Sequence, residues 1–234
     1  QHVKAPLQRW ARTSVLQVKP RAGKDLNAFY DGRSLQFFYE KDGNKTVYTC
    51  DSADVVAHEL GHAVLDVIRP DLWNVPALEI PAFHEAFGDC YSVLCMLSHD
   101  RVIDHILGET GGDLTKGNVV ACVAEELGGT VYNLEKDKTG LKKDCLRNCI
   151  NSFRYTEPEK LPGKTPDDQL SKECHSFSRV WTGAFYDFLV KLYDKYKHID
   201  QKDAVKKARD VAADYLFKAV ADAPRVARFY DAVA

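Results

Sequence analysis

The sequence lacks several features that would assign it to a common class of protein. Its 234 residues contain no run of about 18 apolar residues, so we expect no membrane-spanning helix. The formal net charge of -2 and the pI of about 6.5 argue against nucleic acid or an anionic membrane surface as a partner. The first residues also lack the apolar core of a signal peptide.

Cysteine is present, but not in a familiar metal-binding or redox motif. The seven cysteines include no C-x-x-C, which argues against a zinc finger and a thioredoxin-type site. Apolar helical surroundings predict buried thiols at Cys90, Cys95 and Cys122. Polar surroundings would allow a bridge among the three later cysteines, Cys145, Cys149 and Cys174. The redox compartment therefore stays open.

Hydrophobic periodicity divides the chain into a β-rich N-terminal part and an α-helical C-terminal part. Alternation at residues 16–19 and the aromatic run within 34–40 predict a small antiparallel sheet. Further along, the apolar period predicts helices that begin near Asp51 and recur at 82–97, 118–127, 177–195, 202–221 and 224–233. Composition predicts long loops at 108–117 and 133–172.

The string His58-Glu59-Leu60-Gly61-His62 has the spacing of a metal site. Residues four apart share one face of a helix, so both imidazoles can occupy corners of a zinc tetrahedron. Glu59 would then reach toward the water at the metal and act as general base. Apolar neighbours place the motif against a core, which argues against two histidines on a surface helix.

A third ligand is available downstream, in the stretch His84-Glu85-Ala86-Phe87-Gly88-Asp89. Glu85 and Asp89 are four apart, so Glu85 can bind zinc while Asp89 accepts the second N–H of a zinc-bound imidazole. Two histidines and one glutamate leave the fourth position of the zinc for water. We therefore predict one zinc per chain, with His84 as a bystander on another helix face.

These motifs resemble the thermolysin-like metallopeptidases. Residues 54–66 are similar to the active-site helix of that family, and 84–89 resemble its Asn-Glu-Ala-x-Ser-Asp segment. The resemblance implies an α+β fold with a β-rich N-terminal lobe, an α-helical C-terminal lobe and the zinc helix between them. We expect residues 1–97 to hold the first lobe with the active-site helices and 98–234 the second, together one compact catalytic unit.

The resemblance also assigns residues that would hold the substrate. Residues 26–32 resemble a strand and turn in which Asn27 and Ala28 bind the peptide, and the run 37–39 would be the edge strand that pairs with it. Arg147 would hydrogen-bond a substrate carbonyl. The pocket just after the cleaved bond would be lined by Val55, Leu107 and Leu146.

A further segment of the chain, residues 174–178, looks like the family's His-x-x-Ser motif. His175 would then stabilise the oxyanion of the tetrahedral intermediate. The acid that supports it stays open among three candidates, Glu173, Asp167 and Asp168.

The sequence departs from the family pattern in two respects. The family's transition-state tyrosine has no clear counterpart between His62 and Glu85, where Trp73 is the nearest aromatic residue and its indole N–H could donate instead. The acids that bind calcium in the family are only partly matched. Calcium is therefore doubtful, with three candidate ligands, Asp54, Asp104 and Glu109.

Taken together, the residues predict a zinc endopeptidase, a hydrolase that cleaves extended peptides before hydrophobic residues. We expect a monomer whose partner is a peptide or protein substrate, and the resemblance alone favours secretion. An aminopeptidase of the same zinc class would carry Gly-x-Met-Glu-Asn upstream of the zinc motif, whereas the single methionine, Met96, lies downstream. The retained Glu59 and His175 argue against an inactive, zinc-stabilised peptide-binding relative.

Overall fold

Short strands dominate the first 50 residues of the computed structural model, which describes residues 9–73, 75–124 and 145–234. A three-stranded sheet contains β1 (Gln17–Lys19), β2 (Ala28–Tyr30) and β3 (Ser34–Phe37), with β3 in the centre. A separate hairpin is formed by β4 (Tyr39–Asp42) and β5 (Lys45–Tyr48). Gly43 has a φ of +59° in the hairpin turn, a conformation that glycine adopts without steric strain.

The prediction of an antiparallel sheet is wrong for one of its strand pairs. β3 is antiparallel to β2, with Ala28 opposite Phe37, but it runs parallel to β1. Alternating hydrophobicity sets which face of a strand is buried and says nothing about which partner it pairs with. The same topology makes β2 an edge strand. Phe37 belongs to the central strand, so the prediction of an edge strand at 37–39 is wrong for Phe37, whereas Tyr39 begins the hairpin strand β4.

Helices form most of the remaining described chain. The N-terminal pair is α1 (Ala53–Ile68) and α2 (Glu79–Met96). Helix α1 ends at Ile68 because Pro70 disfavours helical backbone at the preceding Arg69. In the described part of the chain, four more α-helices follow: α3 (Asp100–Thr110), α4 (Cys174–Tyr196), α5 (Gln201–Asp222) and α6 (Phe229–Val233).

The helix predicted at 118–127 is wrong over its described part. Residues 118–121 form a turn, and β6 (Cys122–Val123) pairs with β7 (Arg147–Asn148). The Asn118 side chain accepts hydrogen bonds from the backbone N–H groups of the second and third residues after it, which stabilises a turn in place of a helix. Residues 125–127 and the first part of the predicted 133–172 loop lie outside the described residues.

One hydrophobic core joins these elements. Helix α2 packs against α1 on one side and α4 on another, and α4 packs against α5. The core reaches from Tyr30 in β2 to Val233 in α6. The predicted loop at 108–117 begins later than expected, because α3 continues to Thr110 before Gly111 ends it in a left-handed conformation. Within the described ranges, no helix combines the length and apolarity needed to cross a membrane.

The cysteines differ in part from their predicted environments. Cys90 is buried as predicted, but Cys95 and Cys122 are only partly buried, and Cys122 lies in a strand. Cys149 is buried although its sequence neighbours are polar, because β7 carries it into the core. None of the described cysteines forms a disulfide.

Candidate metal centre

Helix α1 presents its two histidines on one face. The Nε2 atoms of His58 and His62 lie 3.1 Å apart, and their rings meet edge to face with centroids separated by 4.7 Å. Both side chains are largely buried, with exposed fractions of 8% and 12%. Burial lowers the pKa of His62 to about 4, so this ring is neutral at pH 7, as a metal ligand must be.

A glycine pair lets the two active-site helices approach closely. A Cβ added to Gly61 would lie 2.9 Å from Gly88 Cα, and a Cβ added to Gly88 would lie 2.7 Å from His58 Cε1. The His58 ring therefore occupies the space that a side chain on α2 would need. The sequence alone did not indicate this packing role, although Gly61 lies within the motif at 58–62 and Gly88 within the segment at 84–89.

Helix α2 brings Glu85 to the two histidines. Its Oε2 lies 3.3 Å from His58 Nε2, and its Oε1 lies 3.6 Å from His62 Nε2. Zinc with bonds of about 2.0–2.2 Å keeps tetrahedral nitrogen and oxygen ligands roughly 3.3–3.5 Å apart. The three donors already have nearly this spacing, and two imidazoles with one carboxylate are a common set for catalytic zinc. These residues therefore fit the metal.

Asp89 and Arg147 support the outer side of His58. Asp89 Oδ1 lies 2.9 Å from His58 Nδ1, and the Arg147 guanidinium donates to both Asp89 oxygens, at 2.7 Å from Nη2 and 2.9 Å from Nε. Burial alone would lower the pKa of His58, but hydrogen bonds to Asp89 and Glu85 raise it to about 9. Burial alone would raise the pKa of Asp89, but Arg147 and His58 lower it to about 2.

Glu59 carries a buried carboxylate with spare hydrogen-bonding capacity. The residue is 6% exposed, and its Oε2 has no hydrogen-bond partner among the described residues. Burial raises the pKa of Glu59, while the nearby His58 acts in the opposite direction. A buried carboxylate with a raised pKa is well suited to exchange protons with a reacting group.

Glu173, and not Asp167 or Asp168, supports His175. Its Oε1 lies 2.5 Å from His175 Nδ1, and its Oε2 accepts the backbone N–H of Ser176 at the start of α4. His175 Nε2 lies 3.2 Å from Glu85 Oε2. Burial alone would lower the pKa of His175, but hydrogen bonds to Cys174 and Glu173 raise it to about 10.

A cleft of about 640 Å³ opens beside these groups. Its walls include Asn27 and Ala28 from the start of edge strand β2, Val55 from α1, and Leu146 and Arg147 from the segment that contains β7. The Asn27 side-chain oxygen accepts the Ala28 backbone N–H at 2.9 Å. His58, Glu59, His62, Glu85 and His175 line the same cleft.

Leu107 does not line the cleft, so its predicted place in the pocket is wrong. It lies on α3 and packs against the hydrophobic core. The apolar stripe of α3 serves helix packing, with Ile103 and Ile106 both buried. Val123 and Ala124, at β6 and just after it, line the cleft instead.

Two further side chains in the cleft wall are His84 and Trp73. His84 is 8% exposed, its Nε2 has no partner among the described residues, and it belongs to neither of the possible metal-binding groups found in the described ranges. Burial lowers its pKa to about 4. The Trp73 ring meets the His84 ring edge to face, with centroids 5.7 Å apart, and the Arg12 guanidinium lies 4.9 Å from the Trp73 ring centroid.

The acids considered for calcium have other partners. Asp54 accepts the backbone N–H of Ala124 at 2.6 Å, and Asp104 pairs with Lys202 at 2.8 Å. Within the described ranges, two groups of side chains could hold a metal ion, and neither includes Asp54, Asp104 or Glu109. The first group contains His58, Glu59 and His62, and the second contains Glu85, Cys174 and His175.

A family comparison agrees with this geometry. Residues 8–66 match the model of the thermolysin metallopeptidase catalytic domain, a segment that runs from the first strands through most of α1. No curated protein and no solved structure matches the chain. The strands of the N-terminal part and the helices of the C-terminal part are consistent with an α+β, thermolysin-like fold. The family match over residues 8–66 and the His-Glu-His group on α1 together support a thermolysin-like zinc metallopeptidase.

Proposed function

We propose that the protein is a zinc endopeptidase that hydrolyses extended peptides. One observation carries the proposal: the donor atoms of His58, His62 and Glu85 converge within 3.6 Å of one another, beside the free carboxylate oxygen of Glu59. Zinc held by these three ligands would acidify water and stabilise negative charge on a scissile carbonyl.

Glu59 is assigned the role of general base. Its carboxylate would take a proton from the attacking water and deliver it to the leaving amine. The direction of its pKa shift supports this role, because burial raises the pKa of Glu59 and makes its carboxylate a stronger base toward the attacking water. Its unpartnered Oε2 is available for the water.

His175 is assigned the role of oxyanion donor. The Glu173 carboxylate on Nδ1 and the raised pKa, about 10, support a protonated imidazole whose Nε2–H is directed toward the centre. A preformed donor aimed at developing negative charge lowers the activation barrier, commonly by about 3–4 kcal/mol. Trp73, in the cleft wall, is a second candidate donor for the position of the family's tyrosine.

Substrate positioning is assigned to both sides of the cleft. Asn27 precedes the edge strand β2, and Ala28 is its first residue. Such a strand can pair with an extended peptide through backbone hydrogen bonds. Arg147 has two of its nitrogens engaged by Asp89, which fixes the guanidinium beside the cleft where it can also donate to a substrate carbonyl.

The apolar pocket is assigned to Val55 and Leu146, with Val123 in place of Leu107. These side chains line the cleft near His58 and Arg147, which supports preference for a hydrophobic residue just after the cleaved bond. An inactive peptide-binding relative and an aminopeptidase are the two alternatives. Both predict a different outcome in the following experiment.

A mixed peptide library tests the proposal and the pocket together. The wild type should cut within peptides, before hydrophobic residues. Leu146→Ala should weaken that preference by roughly 10-fold, the scale of one or two lost methylene contacts. Leu107→Ala is the matched control and should leave the profile unchanged. Cleavage only at amino termini would support the aminopeptidase, and zinc binding with no cleavage would support the inactive relative.

A further inference from the structure

One residue in the wall of the cleft has an unfavourable backbone conformation. Ala124, directly after β6, has a φ of +58°, and within the described ranges every other residue with a positive φ is a glycine. A side chain disfavours this left-handed conformation, so an alanine keeps it only where neighbouring groups hold it in place. Ala124 is buried and lines the cleft, so the strain lies at the site itself.

A carboxylate on α1 holds Ala124 in this conformation. Asp54 Oδ2 accepts the Ala124 backbone N–H at 2.6 Å. The other oxygen of Asp54 accepts the Ser52 hydroxyl and the Val55 backbone N–H, which fixes the carboxylate in the first turn of the helix. An acid in the first turn also interacts favourably with the helix dipole. Asp54 is therefore a preformed acceptor on the helix that carries two of the proposed zinc ligands.

The bond attaches a two-stranded ribbon, formed by β6 and β7, to α1. Within the ribbon Val123 pairs with Arg147, and the Leu146 backbone N–H donates to the Val123 carbonyl at 3.2 Å. The ion pair between Arg147 and Asp89 attaches the same ribbon to α2. The ribbon is thus held on both active-site helices, by a charged pair to α2 and by the Asp54 bond to α1.

The Asp54 bond joins the two parts of the structure that form the proposed apolar pocket. Val55, the next residue after Asp54, lines the cleft from α1, whereas Val123 and Leu146 line it from the ribbon and the residue before β7. Without the bond, Ala124 would return to an ordinary backbone conformation and the ribbon would shift relative to Val55. An apolar pocket discriminates through close contact, so a shift of about 1 Å is enough to weaken its preference.

We infer that Asp54 is a positioning residue for substrate specificity. Through the backbone of Ala124 it sets the width of the pocket that receives the hydrophobic residue after the cleaved bond. It acts on the substrate only through the ribbon, so its removal changes which peptides are cut and leaves the metal in place. The specificity role rests on the proposed function, whereas the attachment of the ribbon to α1 does not.

Amide hydrogen exchange, followed by NMR on the zinc-loaded protein, tests the attachment without a cleavage assay. The Ala124 N–H should exchange at least about 10-fold faster in Asp54→Ala than in wild type, because its acceptor is gone. Asp54→Asn keeps an oxygen that can accept and should stay within about 3-fold of wild type. The matched control is Asp51→Ala, which removes an exposed acid just before α1 and should leave the rate unchanged. Equal rates in wild type and Asp54→Ala would overturn the attachment.

A mixed peptide library tests the specificity. In Asp54→Ala, the preference for hydrophobic over small residues after the cleaved bond should be roughly 10-fold weaker than in wild type, mainly through KM, with an unchanged zinc content. Asp54→Asn should keep the preference within about 3-fold, since it can still hold Ala124. A wild-type cleavage profile in Asp54→Ala, with a loss of stability alone, would assign the acid to folding and overturn the specificity role.

A second variant covers the case in which circular dichroism shows that Asp54→Ala does not fold. Asp54→Glu keeps an acid in the first turn of α1 but moves its oxygens by one methylene group. Positioning depends on the place of the acceptor, so Asp54→Glu should weaken the preference at least about 3-fold, and a wild-type profile would overturn the proposal. If no protein, wild type included, cleaves any peptide, the proposed function fails, yet the exchange rate still decides whether Asp54 holds the ribbon.

Discussion

Two histidine–carboxylate pairs near Glu85 use the same bond in different surroundings. In the pair His58–Asp89, the Nδ1 to carboxylate distance is 2.9 Å, and the side chains are 8% and 0% exposed. In the pair His175–Glu173, the distance is 2.5 Å, but the side chains are 52% and 45% exposed. The first pair is part of the core, whereas the second lies at the open side of the cleft.

The difference in burial predicts different roles: the buried pair contributes to the stability of the fold, whereas the exposed pair orients a side chain. A buried carboxylate that loses a partner is left charged in a medium of low polarity, so it destabilises the fold strongly. An exposed carboxylate is solvated with or without its partner, so its removal has little effect on stability. We therefore expect changes around Asp89 to affect folding and metal binding together, and changes at Glu173 to affect catalysis alone.

The largest expected effect on stability follows from removal of Arg147. Arg147→Ala leaves Asp89, which is fully buried, without its bidentate partner, and should lower the free energy of unfolding by about 3–5 kcal/mol. The matched control is Arg228→Ala, which breaks an exposed pair with Glu157 and should leave the free energy of unfolding almost unchanged. Urea unfolding of the two variants measures the difference, and equal losses would contradict the role of burial.

The pH dependence of stability should come more from Asp89 than from Glu173. Against the effect of partial burial, the hydrogen bond to His175 also lowers the pKa of Glu173 to about 2, but both side chains of that pair are about half exposed, so solvent screens the interaction and reduces its contribution to stability. The pKa of Asp89 is lowered to about 2 from 3.8, so its contribution is fully present above about pH 4 and is lost as the pH falls toward 2. Its size is roughly 2 kcal/mol. Metal-free Asp89→Asn should therefore lose less stability over this range than the metal-free wild type. If Glu173→Gln flattened the curve as much, the comparison would fail.

Gly88→Ala, which adds a methyl group on α2, should destabilise the fold less than Arg147→Ala but should weaken zinc binding directly. In Gly88→Ala the new Cβ would lie 2.7–2.8 Å from the His58 ring, so the imidazole must shift. Zinc affinity should fall on the order of 10–100-fold. Gly108→Ala on α3 is the control, because its Cβ meets nothing within 4 Å. Competition with a chelator compares the two affinities, which should differ only if His58 is a ligand.

The smallest expected effect on stability is that of Glu173→Gln. The free energy of unfolding should change by less than about 1 kcal/mol, because both side chains of the pair are about half exposed and glutamine keeps an oxygen that can accept the Ser176 N–H at the helix start. Activity should nevertheless fall roughly 10-fold, since His175 loses the carboxylate that orients and protonates it. The pKa of His175 should also fall, which proton NMR can follow. A large loss of stability with unchanged activity would reverse the assignment of the exposed pair.

The contrast between the His58–Asp89 and His175–Glu173 pairs also explains how much of the site could be predicted from the sequence. His58, Glu59, Glu85 and Asp89 lie on two long amphipathic helices, where a spacing of four residues fixes a common face. Their approach in the structure thus follows from local periodicity and from the apolar neighbours of the motif. The sequence therefore predicts that these side chains lie together, whereas their binding of a metal is a proposal.

Features that depend on the geometry of a turn or on partners distant in sequence could not be predicted in this way. Which of three acids would reach His175 depends on the N-terminal turn of α4, where Glu173 also accepts the Ser176 backbone N–H. The parallel pairing of β1 with β3 and the strand at Cys122–Val123 depend on partners distant in sequence. The prediction that Leu107 lines the pocket was wrong because an apolar side chain suits a pocket and a helix interface equally well.

The most direct test of the account is zinc content and peptide cleavage, measured side by side for wild type and Glu59→Gln. Both proteins should bind one zinc at the proposed ligands, because the substitution keeps the shape of the side chain and removes its basicity. Cleavage should fall by about 10²–10⁴-fold in Glu59→Gln alone. Absence of zinc from both proteins, or equal cleavage by both, would contradict the central claim.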